Sequence, residues 1–447
     1  MELVRPPGPR NLPLVGAALL FQKAPLQRFH GLLRQYGDVV YYRVGTRDLY
    51  LIGHPDDIQS VLVGEHQRYM KDELTHELSY FIGRGLVTSE GNFWKRQRKL
   101  AAPKFQRRHI ERFADTFVAR TLVLLEDLDA GPRDVHVDMM ELTLDIVLHT
   151  LFGAATVPDK AAVGRIVEAL MTEFQQVALS WRRLLPGFMN RDSIARLDAG
   201  REALDEIIYG IIHERRARVD DGDDLLGRLL AATDDEGAQM TDVQLRDEVA
   251  TLFLAGHETT ALALSYALLL VARHPHVQLR LREEIDGVLG TRRGTMADVA
   301  QLRFTDAVVR EAMRLYPPVY AIGREALEDC EIGGFVVPRG AQILIPQFAV
   351  HRDPRWFAEP ETFLPERWLD GLAERLPRFA YFPFGGGARV CVGNHFAMLE
   401  AVLVLATLVQ HLELRAEPDF RVELSPSVTL RPRGGVRLNV ERRSGIG

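Results

Sequence analysis

The stretch FPFGGGARVCVGNHFA, Phe382 to Ala397, places one of the chain's two cysteines behind three glycines and an arginine. Glycines let a backbone adopt unusual angles and approach a partner closely. The residues that follow the cysteine, GNHFAMLEAVLVLATLVQHL, predict a long helix. Cys391 therefore lies near a helix N-terminus, where unpaired N–H groups, the helix dipole and the charge of Arg389 favour a thiolate.

A thiolate in this setting can act as a nucleophile or as a metal ligand. A nucleophile needs a histidine base and an orienting group, and His395, four residues further on, does not suggest such a triad. A zinc site needs more sulfur or imidazole ligands than this loop supplies. A haem iron needs a single thiolate from the protein and no second protein ligand.

Five positions of the loop fit the pattern F-x-x-G-x-R-x-C-x-G: Phe384, Gly387, Arg389, Cys391 and Gly393. This pattern resembles the haem-binding signature of the cytochrome P-450 family, the haem-thiolate monooxygenases. The resemblance implies that Cys391 is the metal ligand, on the iron of haem b (iron protoporphyrin IX), and that the other four residues belong to the haem-binding loop. Cys330, in LEDCEIGG, has no such context and is interpreted as a structural strand cysteine.

A long helix is predicted upstream of this loop. Thr241 and Gln244 form a capping-box pattern, and nothing stops the helix before His274-Pro275. At 1.5 Å per residue such a helix is roughly 50 Å long, enough to cross a large domain.

The predicted helix contains AGHETT, which resembles the central-helix pattern of the same family. Ala255 and Gly256 are small and leave room for dioxygen above the haem. The hydroxyl of Thr259 can donate to the carbonyl of Ala255 and distort the helix, which opens space for water. The resemblance implies that Thr259 and Glu258 are the catalytic residues of a proton relay, whereas His257 is interpreted as a helix-packing residue.

Haem carries two propionates, which need cations or strong donors. Trp94 and Arg98 fit the family's W-x-x-x-R helix, and Arg324 lies where the strand after the E-x-x-R helix offers a cation. Arg389 is within the signature itself. Lys71, in YMKD, resembles a further contact of the fatty-acid-hydroxylase branch. The resemblance therefore implies a cofactor-binding role for all five residues.

Other marks of the family occur in order along the whole chain. Glu311 and Arg314, in REAMRLYPP, fit its E-x-x-R pair, and PERW follows at 365–368. We interpret these groups as structural. The patterns AGHETT and PERW are more similar to the microsomal and fatty-acid-hydroxylase branch than to the camphor-type branch.

Composition narrows the class of protein. The chain has 447 residues, a net charge of -6 and 47% hydrophobic residues, which is typical of a globular protein and gives no general attraction to nucleic acid or anionic membranes. Two cysteines cannot form a disulfide framework, so we expect a cytoplasmic location. The apolar stretch Leu12–Phe21 is too short for a membrane span, and Thr251–Ala272 carries His257 and Glu258, so we expect a core helix and no transmembrane anchor.

The fold expected from these patterns is mainly α with a small β portion, the cytochrome P-450 fold, as a single domain over residues 1–447. Its landmarks are an N-terminal β-containing part at about 38–55 with a hairpin turn near Gly45, a central helix at about 241–273 and a haem-thiolate loop at 384–393.

The resemblance implies a monooxygenase that inserts one oxygen atom of O2 into an apolar small molecule of the fatty-acid, terpenoid, steroid or macrolide class, by hydroxylation or epoxidation. We expect no membrane anchor before the lead-in and no reductase domain after Gly447. Electrons are therefore expected from a separate ferredoxin or flavodoxin and its NAD(P)H reductase. The family's substrate-facing segments correspond to about 71–91 and 171–190, and Arg47 and Tyr50 are candidate anchors for a substrate carboxylate.

Two alternatives stay open. The first is an enzyme of the same fold that does not activate dioxygen, such as a peroxygenase or a haem-thiolate isomerase, although Glu258 and Thr259 argue against it. The second is a non-catalytic haem sensor or gas binder, in which a full proton relay has no use.

A basic run suggests where electrons enter. The segment WKRQRKLAAPKFQRRH, at 94–109, holds seven lysines and arginines and no acidic residue. In the family this helix and its sequel lie on the thiolate side of the haem. The run predicts an acidic redox partner rather than nucleic acid, because the whole chain is acidic and shows no nucleic-acid-binding motif.

Overall fold

The structure is a computed structural model that describes residues 5–11, 16–17, 24–153, 160–178, 191–217 and 224–443. The apolar stretch Leu12–Phe21 lies outside the described residues except for Gly16 and Ala17, and so do residues 179–190 of the second expected substrate-facing segment.

Helices dominate the described chain, as the sequence predicts. They are α1 (Pro25–Tyr36), α2 (Pro55–Gln59), α3 (Glu73–Glu77), α4 (Ser79–Ile82), α5 (Gly91–Ala101), α6 (Arg107–Ile110), α7 (Ala114–Glu126), α8 (Val135–Phe152), α9 (Lys160–Ala178), α10 (Arg191–Ala217), α11 (Leu225–Leu230), α12 (Asp242–Arg273), α13 (Pro275–Leu289), α14 (Arg303–Leu315), α15 (Gln347–Val350), α16 (Leu372–Arg375) and α17 (Asn394–His411).

The strands are short and form a minor part of the fold. They are β1 (Val39–Val44), β2 (Arg47–Ile52), β3 (Tyr69–Lys71), β4 (Gly131–Asp134), β5 (Ile322–Ala326), β6 (Cys330–Ile332), β7 (Phe335–Val337), β8 (Gln342–Ile345), β9 (Leu412–Ala416), β10 (Glu423–Pro426), β11 (Leu430–Arg433) and β12 (Arg437–Arg442). The expectation of a mainly α protein with a small β portion is confirmed.

The chain forms two compact units. The first comprises residues 1–75, 310–391 and 428–431, and the second comprises 76–309, 392–427 and 432–447. The expectation of a single domain over residues 1–447 stays a prediction.

The first unit is built on a five-stranded sheet with the strand order β1-β2-β8-β5-β3. The predicted hairpin is confirmed: β1 and β2 pair in antiparallel register from Val39↔Ile52 to Val44↔Arg47, and Gly45 turns with a φ of 60°. One face of the sheet is apolar and buries residues such as Tyr50 and Ile343.

A buried ion-pair network stabilises the first unit. Glu311 and Arg314 are both 0% exposed, and the Arg314 guanidinium donates to the two carboxylate oxygens of Glu311 at 2.8 and 2.9 Å. Glu311 also accepts from Arg367 Nε at 3.1 Å, from Trp368 Nε1 at 2.8 Å and from the backbone N–H of Leu364 at 3.0 Å. The remaining Arg314 N–H groups reach backbone carbonyls, those of His351, Pro360 and Thr362. The pair is structural, as interpreted from the sequence.

The second unit is organised around α12. Its N-terminus has the predicted capping box, with Thr241 as the N-cap and Gln244 as the reciprocal partner, and the helix ends before His274. This is the helix of the described chain that is long and apolar enough to cross a membrane, but most of that apolar stretch is buried inside the protein, as expected of a core helix. Thr143 of α8 donates to the carbonyl of His257 at 2.9 Å, which joins the two helices.

Candidate functional site

The cysteine loop depends on glycine for its path. Gly385 and Gly387 have φ values of +70° and +66°, in the left-handed region that favours glycine. A Cβ built on Gly387 would overlap the backbone carbonyl of Leu62, so the loop and residues 60–64 are in direct backbone contact. The loop then closes through the N–H of Cys391, which donates to the carbonyl of Phe384 at 3.0 Å. Glycine at 387 is therefore required by packing.

A second set of contacts fixes the start of the loop at Phe382. Its backbone N–H donates to His351 Nε2 at 3.0 Å, and Gln347 donates its amide to the Phe382 carbonyl. Complete burial lowers the pKa of His351 well below its ordinary value, with smaller contributions from the cations Arg314 and Arg352. The ring is therefore neutral, and its Nε2 can act as the acceptor that this contact needs.

The two cysteines lie in opposite environments. Cys391 is exposed and lies three residues before the start of α17, with Gly393 as the N-cap residue. Cys330 is 3% exposed in β6, and burial raises the pKa of its thiol. The predicted positions of both residues are confirmed, and the role of Cys391 as metal ligand stays a prediction.

Two predicted cofactor-binding cations of the first unit lie side by side. Lys71 of β3 and Arg324 of β5 are register partners in an antiparallel pair, and Arg324 is 8% exposed. Like charges directly opposite each other destabilise a sheet. A propionate role for this pair stays a prediction. Arg389 is half-buried in the loop of the same unit.

The second unit holds the other two predicted propionate contacts. Trp94 and Arg98 lie one turn apart on α5, and both are partly buried. Residues four apart share a face of a helix, so the indole N–H and the guanidinium are presented together.

The hydrogen bond expected of Thr259 is present, within a continuous α-helix. The Thr259 hydroxyl donates to the carbonyl of Ala255 at 2.7 Å. Ala255 is exposed although the helix around it is largely buried, and Thr259, one turn further, is partly exposed. The small side chain of Ala255 and the Thr259 hydroxyl therefore form an open face in the middle of a core helix, which is the space that a haem and dioxygen need.

Gly256 has a packing role in α12. A Cβ built on it would lie 3.1 Å from Val147 of α8, so its missing side chain lets the two helices pack closely. The room on the open face comes from Ala255, and a role of Gly256 at the cofactor stays a prediction.

The two residues between Gly256 and Thr259 are buried. His257 is 2% exposed, and its Nδ1 is 2.6 Å from the carbonyl of Phe253, which agrees with the interpretation of a packing residue. Glu258 is 1% exposed. The role of Glu258 in a proton relay stays a prediction.

Sequence reasoning missed a buried acid on α17. Glu400 is 0% exposed, and burial raises the pKa of its carboxyl well above the ordinary value, against the weaker opposing effect of the Thr260 hydroxyl. Burial therefore favours the protonated form of this carboxyl. The available signal was an acidic residue inside the apolar run AMLEAVLVL.

Only one of the two candidate carboxylate anchors is accessible. Arg47 forms an ion pair with Glu73, and Tyr50 is 1% exposed, with its ring 5.4 Å from that of Tyr41. The expectation is wrong for Tyr50, because its hydroxyl-bearing ring lies in the sheet core rather than at a channel mouth.

The basic run at 94–109 is less positive than its sequence indicates. Acidic residues from elsewhere in the chain pair with three of its cations: Arg96 with Asp234 at 2.6 Å, Lys99 with Asp235 at 2.6 Å and Arg107 with Glu111 at 2.8 Å. The other cations of the run are Lys95, Arg98, Lys104 and Arg108, of which Lys95 and Arg108 are exposed.

The donor set of the described chain fits haem better than a multi-ligand metal site. Within residues 24–153, 160–178, 191–217 and 224–443, no three His, Cys, Asp or Glu side chains are grouped so that they could hold a metal ion. An exposed thiol near a helix N-terminus is the single protein ligand that a thiolate-bound haem requires.

Comparison with known proteins agrees with the site. The cytochrome P450 family model matches residues 6–439. Cyclooctatin synthase of Streptomyces melanosporofaciens is 36% identical over 443 residues, covering 97% of this chain and 95% of that protein. Cyclooctat-9-en-7-ol 5-monooxygenase of the same organism is 32% identical over 92% of this chain and 89% of that protein. Human cytochrome P450 4V2 is 28% identical over 97% of this chain and 89% of its own length.

The chain belongs to the cytochrome P450 family. It is an oxidoreductase of the monooxygenase class, and membership of the family implies a haem cofactor, dioxygen, a redox partner and an apolar substrate.

Proposed function

We propose that this cytochrome P450 binds haem b through the Cys391 thiolate and hydroxylates or epoxidises an apolar terpenoid with electrons from a separate redox protein. The observation that carries the proposal is the open face of α12, where Ala255 is exposed and the Thr259 hydroxyl is held by the Ala255 carbonyl in an otherwise buried helix. When bound, the haem supplies the activation of dioxygen.

The chain's own residues would act as follows. Cys391 holds the iron and stays a thiolate because it lies near the N-terminus of α17. Lys71 and Arg324, together with Arg389, bind propionate, as do Trp94 and Arg98 in the other unit. The Thr259 hydroxyl holds a water or a proton at the open face, and the Glu258 carboxyl resupplies it.

The terpenoid class is favoured over a fatty acid by two observations. One relative with 32% identity is named for a cyclic alkenol substrate, cyclooctat-9-en-7-ol. At the hairpin, the candidate fatty-acid anchor Tyr50 is buried, and Arg47 already pairs with Glu73. A screen of cyclic terpene alcohols by Soret shift, followed by product identification with surrogate redox proteins, tests the class. A shift with long-chain fatty acids alone would overturn it.

An acidic redox protein of the ferredoxin or flavodoxin type would be attracted by Lys95 and Arg108, the exposed cations of the 94–109 run outside the three ion pairs. We further propose a cytoplasmic location, which is compatible with two cysteines that form no disulfide.

Replacing Thr259 with alanine is expected to uncouple the enzyme without unfolding it. Alanine is a good helix former, so fold and haem content should persist. The variant loses the positioned hydroxyl, so protons reach reduced dioxygen at the wrong place and peroxide is released. Product per NAD(P)H should fall severalfold or more while NAD(P)H oxidation continues. Product, peroxide and NAD(P)H are measured together.

The matched control for that experiment is Thr150→Ala. Thr150 also donates to a carbonyl four residues earlier, Ile146 at 2.8 Å, but it is buried and lies on α8. It should remain coupled. Wild-type coupling in Thr259→Ala would show that Thr259 is only a core residue, and the relay would then have to run through Glu258 and water or through Thr260.

Reversing the charge of Lys95 and Arg108 together is expected to slow association with an acidic ferredoxin by roughly tenfold at low ionic strength, because charge complementarity raises association rates. The effect should shrink as salt is added. Stopped-flow reduction at several ionic strengths measures it. Arg437→Glu, at an exposed cation of β12, is the control. Equal rates for the double variant and the control would refute the role of the patch.

A further inference from the structure

Three consecutive charged residues near the start of α12 bind successive backbone groups of residues 81–86. Each contact pairs a charged side chain with the main chain, a strong class of hydrogen bond. The contacts are Arg246 Nη2 to the carbonyl of Phe81 at 2.7 Å, the N–H of Arg84 to Asp247 Oδ2 at 2.7 Å, and the N–H of Leu86 to Glu248 Oε2 at 3.1 Å. We refer to Arg246, Asp247 and Glu248 as the clasp.

Two glycines bring the segment directly onto the helix. Gly83 has a φ of +72°, and a Cβ on it would overlap the carboxylate of Asp247. A Cβ on Gly85 would overlap the hydroxyl of Thr251. No side chain separates the segment from α12 at these points, so the segment covers this part of the helix surface.

The covered positions continue into the open face. Asp247, Thr251, Ala255 and Thr259 follow one another at intervals of four residues, so they lie along one side of α12. The segment covers the first two, and the exposed Ala255 comes next. Residues 81–86 therefore form a wall at the N-terminal end of the face that carries Ala255 and Thr259.

We propose that the clasp positions residues 81–86 as a movable wall of the substrate site and that Glu248 is the contact at which the wall is released. That this site binds substrate rests on the proposed function. The contacts of the clasp do not depend on it.

Burial makes Glu248 sensitive to pH. The side chain is 1% exposed, and burial raises its pKa to about 7, opposed by hydrogen bonds from the Leu86 N–H and from Gln97 of α5. The neighbouring Asp247 raises it slightly further. The charged groups near this carboxyl are Asp247 and Arg246 on α12, Asp205 of α10 paired with Arg246, and Arg96 of α5, which donates to Gln97 Oε1 at 3.1 Å. The guanidinium of Arg84 on the segment lies over the ring of Phe93.

The direction of the pH effect follows from linkage. The closed wall holds the Glu248 proton up to about pH 7, whereas a hydrated glutamate ionises near 4.5. The open state is therefore favoured progressively as pH rises from about 5 to about 7, by up to about two orders of magnitude, and no further above that range. Opening also hydrates the Thr251 hydroxyl, which is buried without a hydrogen-bond partner among the described residues.

Hydrogen exchange of the full-length protein tests the proposal. Peptides covering residues 81–89 are followed from pH 5 to pH 8, and rates are corrected for intrinsic exchange. The wild type should open about 100-fold more at pH 7.5 than at pH 5. Glu248→Gln keeps the side-chain size and an acceptor for the Leu86 N–H, so its opening should be low and independent of pH. The control Glu202→Gln, at an exposed glutamate of α10, should match the wild type.

A second variant covers the case in which Glu248→Gln fails to fold. Thr251→Val removes the buried hydroxyl while keeping its shape, so it should lower exchange of residues 81–89 at every pH and keep the pH slope. Opening that does not depend on pH in the wild type, or a Glu248→Gln profile identical to the wild type, overturns the proposal. The exchange requires no substrate or turnover, so its outcome is separate from the fate of the proposed function.

Discussion

Cys391→Ser is expected to abolish the strongly red-shifted Soret band of the reduced carbon monoxide complex, together with all monooxygenation. The band reports thiolate ligation, and a serine hydroxyl in the same place is not a thiolate. Cys391→His should give the same loss with a nitrogen-ligated spectrum. The loop itself should persist, because its closure uses the backbone N–H of residue 391 rather than the side chain. Carbon monoxide difference spectra and product assays measure the two losses.

The internal control for this experiment is Cys330→Ser. Cys330 is 3% exposed in β6, and burial raises the pKa of its thiol, so it is neither accessible nor readily ionised. The serine variant should keep both the band and the activity. A normal band in Cys391→Ser would refute ligation by Cys391.

Glu311→Ala is expected to lower the free energy of unfolding by about 3–5 kcal/mol, because it leaves two buried guanidinium groups without their carboxylate partner. Arg314 is 0% exposed and Arg367 is 9% exposed, so water cannot replace the lost contacts without disrupting the core. Denaturant unfolding monitored by circular dichroism gives the change. Glu311→Gln should cost less, since it keeps one acceptor and the side-chain volume.

A surface glutamate of the same unit provides the comparison. Glu331 is exposed in β6, and Glu331→Ala should change stability by no more than about 0.5 kcal/mol. If Glu311→Ala were equally mild, the network would not be a major stabilising element.

Local patterns predicted the elements well because their causes are local. The capping box at Thr241 and the stop at His274-Pro275 gave α12 to within one residue at its N-terminus. The turn residue Gly45 gave the hairpin, and the apolar run after Gly393 gave α17. The bond from Thr259 to Ala255 was predictable for the same reason, since it joins residues four apart.

Contacts between distant parts of the sequence were not predictable. The pairing of Lys71 with Arg324 depends on the register of two strands, and the neutralisation of Arg96 depends on Asp234, 138 residues away. A run of cations without local acids therefore overstated the charge of its surface. Burial of Glu248 and Glu400 is likewise a property of tertiary packing, and it decides their protonation states.

The contact between Gly387 and the carbonyl of Leu62 bears on how such loops change over evolutionary time. Selection at position 387 acts on backbone fit, whereas selection at 391 acts on the chemistry of sulfur. A related protein that no longer inserts oxygen could lose Cys391 and still keep Gly387. Replacing Gly387 would displace the loop from residues 60–64, because a Cβ there overlaps the carbonyl of Leu62. In this loop, Gly387 indicates that the fold of the loop is inherited, and Cys391 indicates whether the thiolate chemistry has been retained.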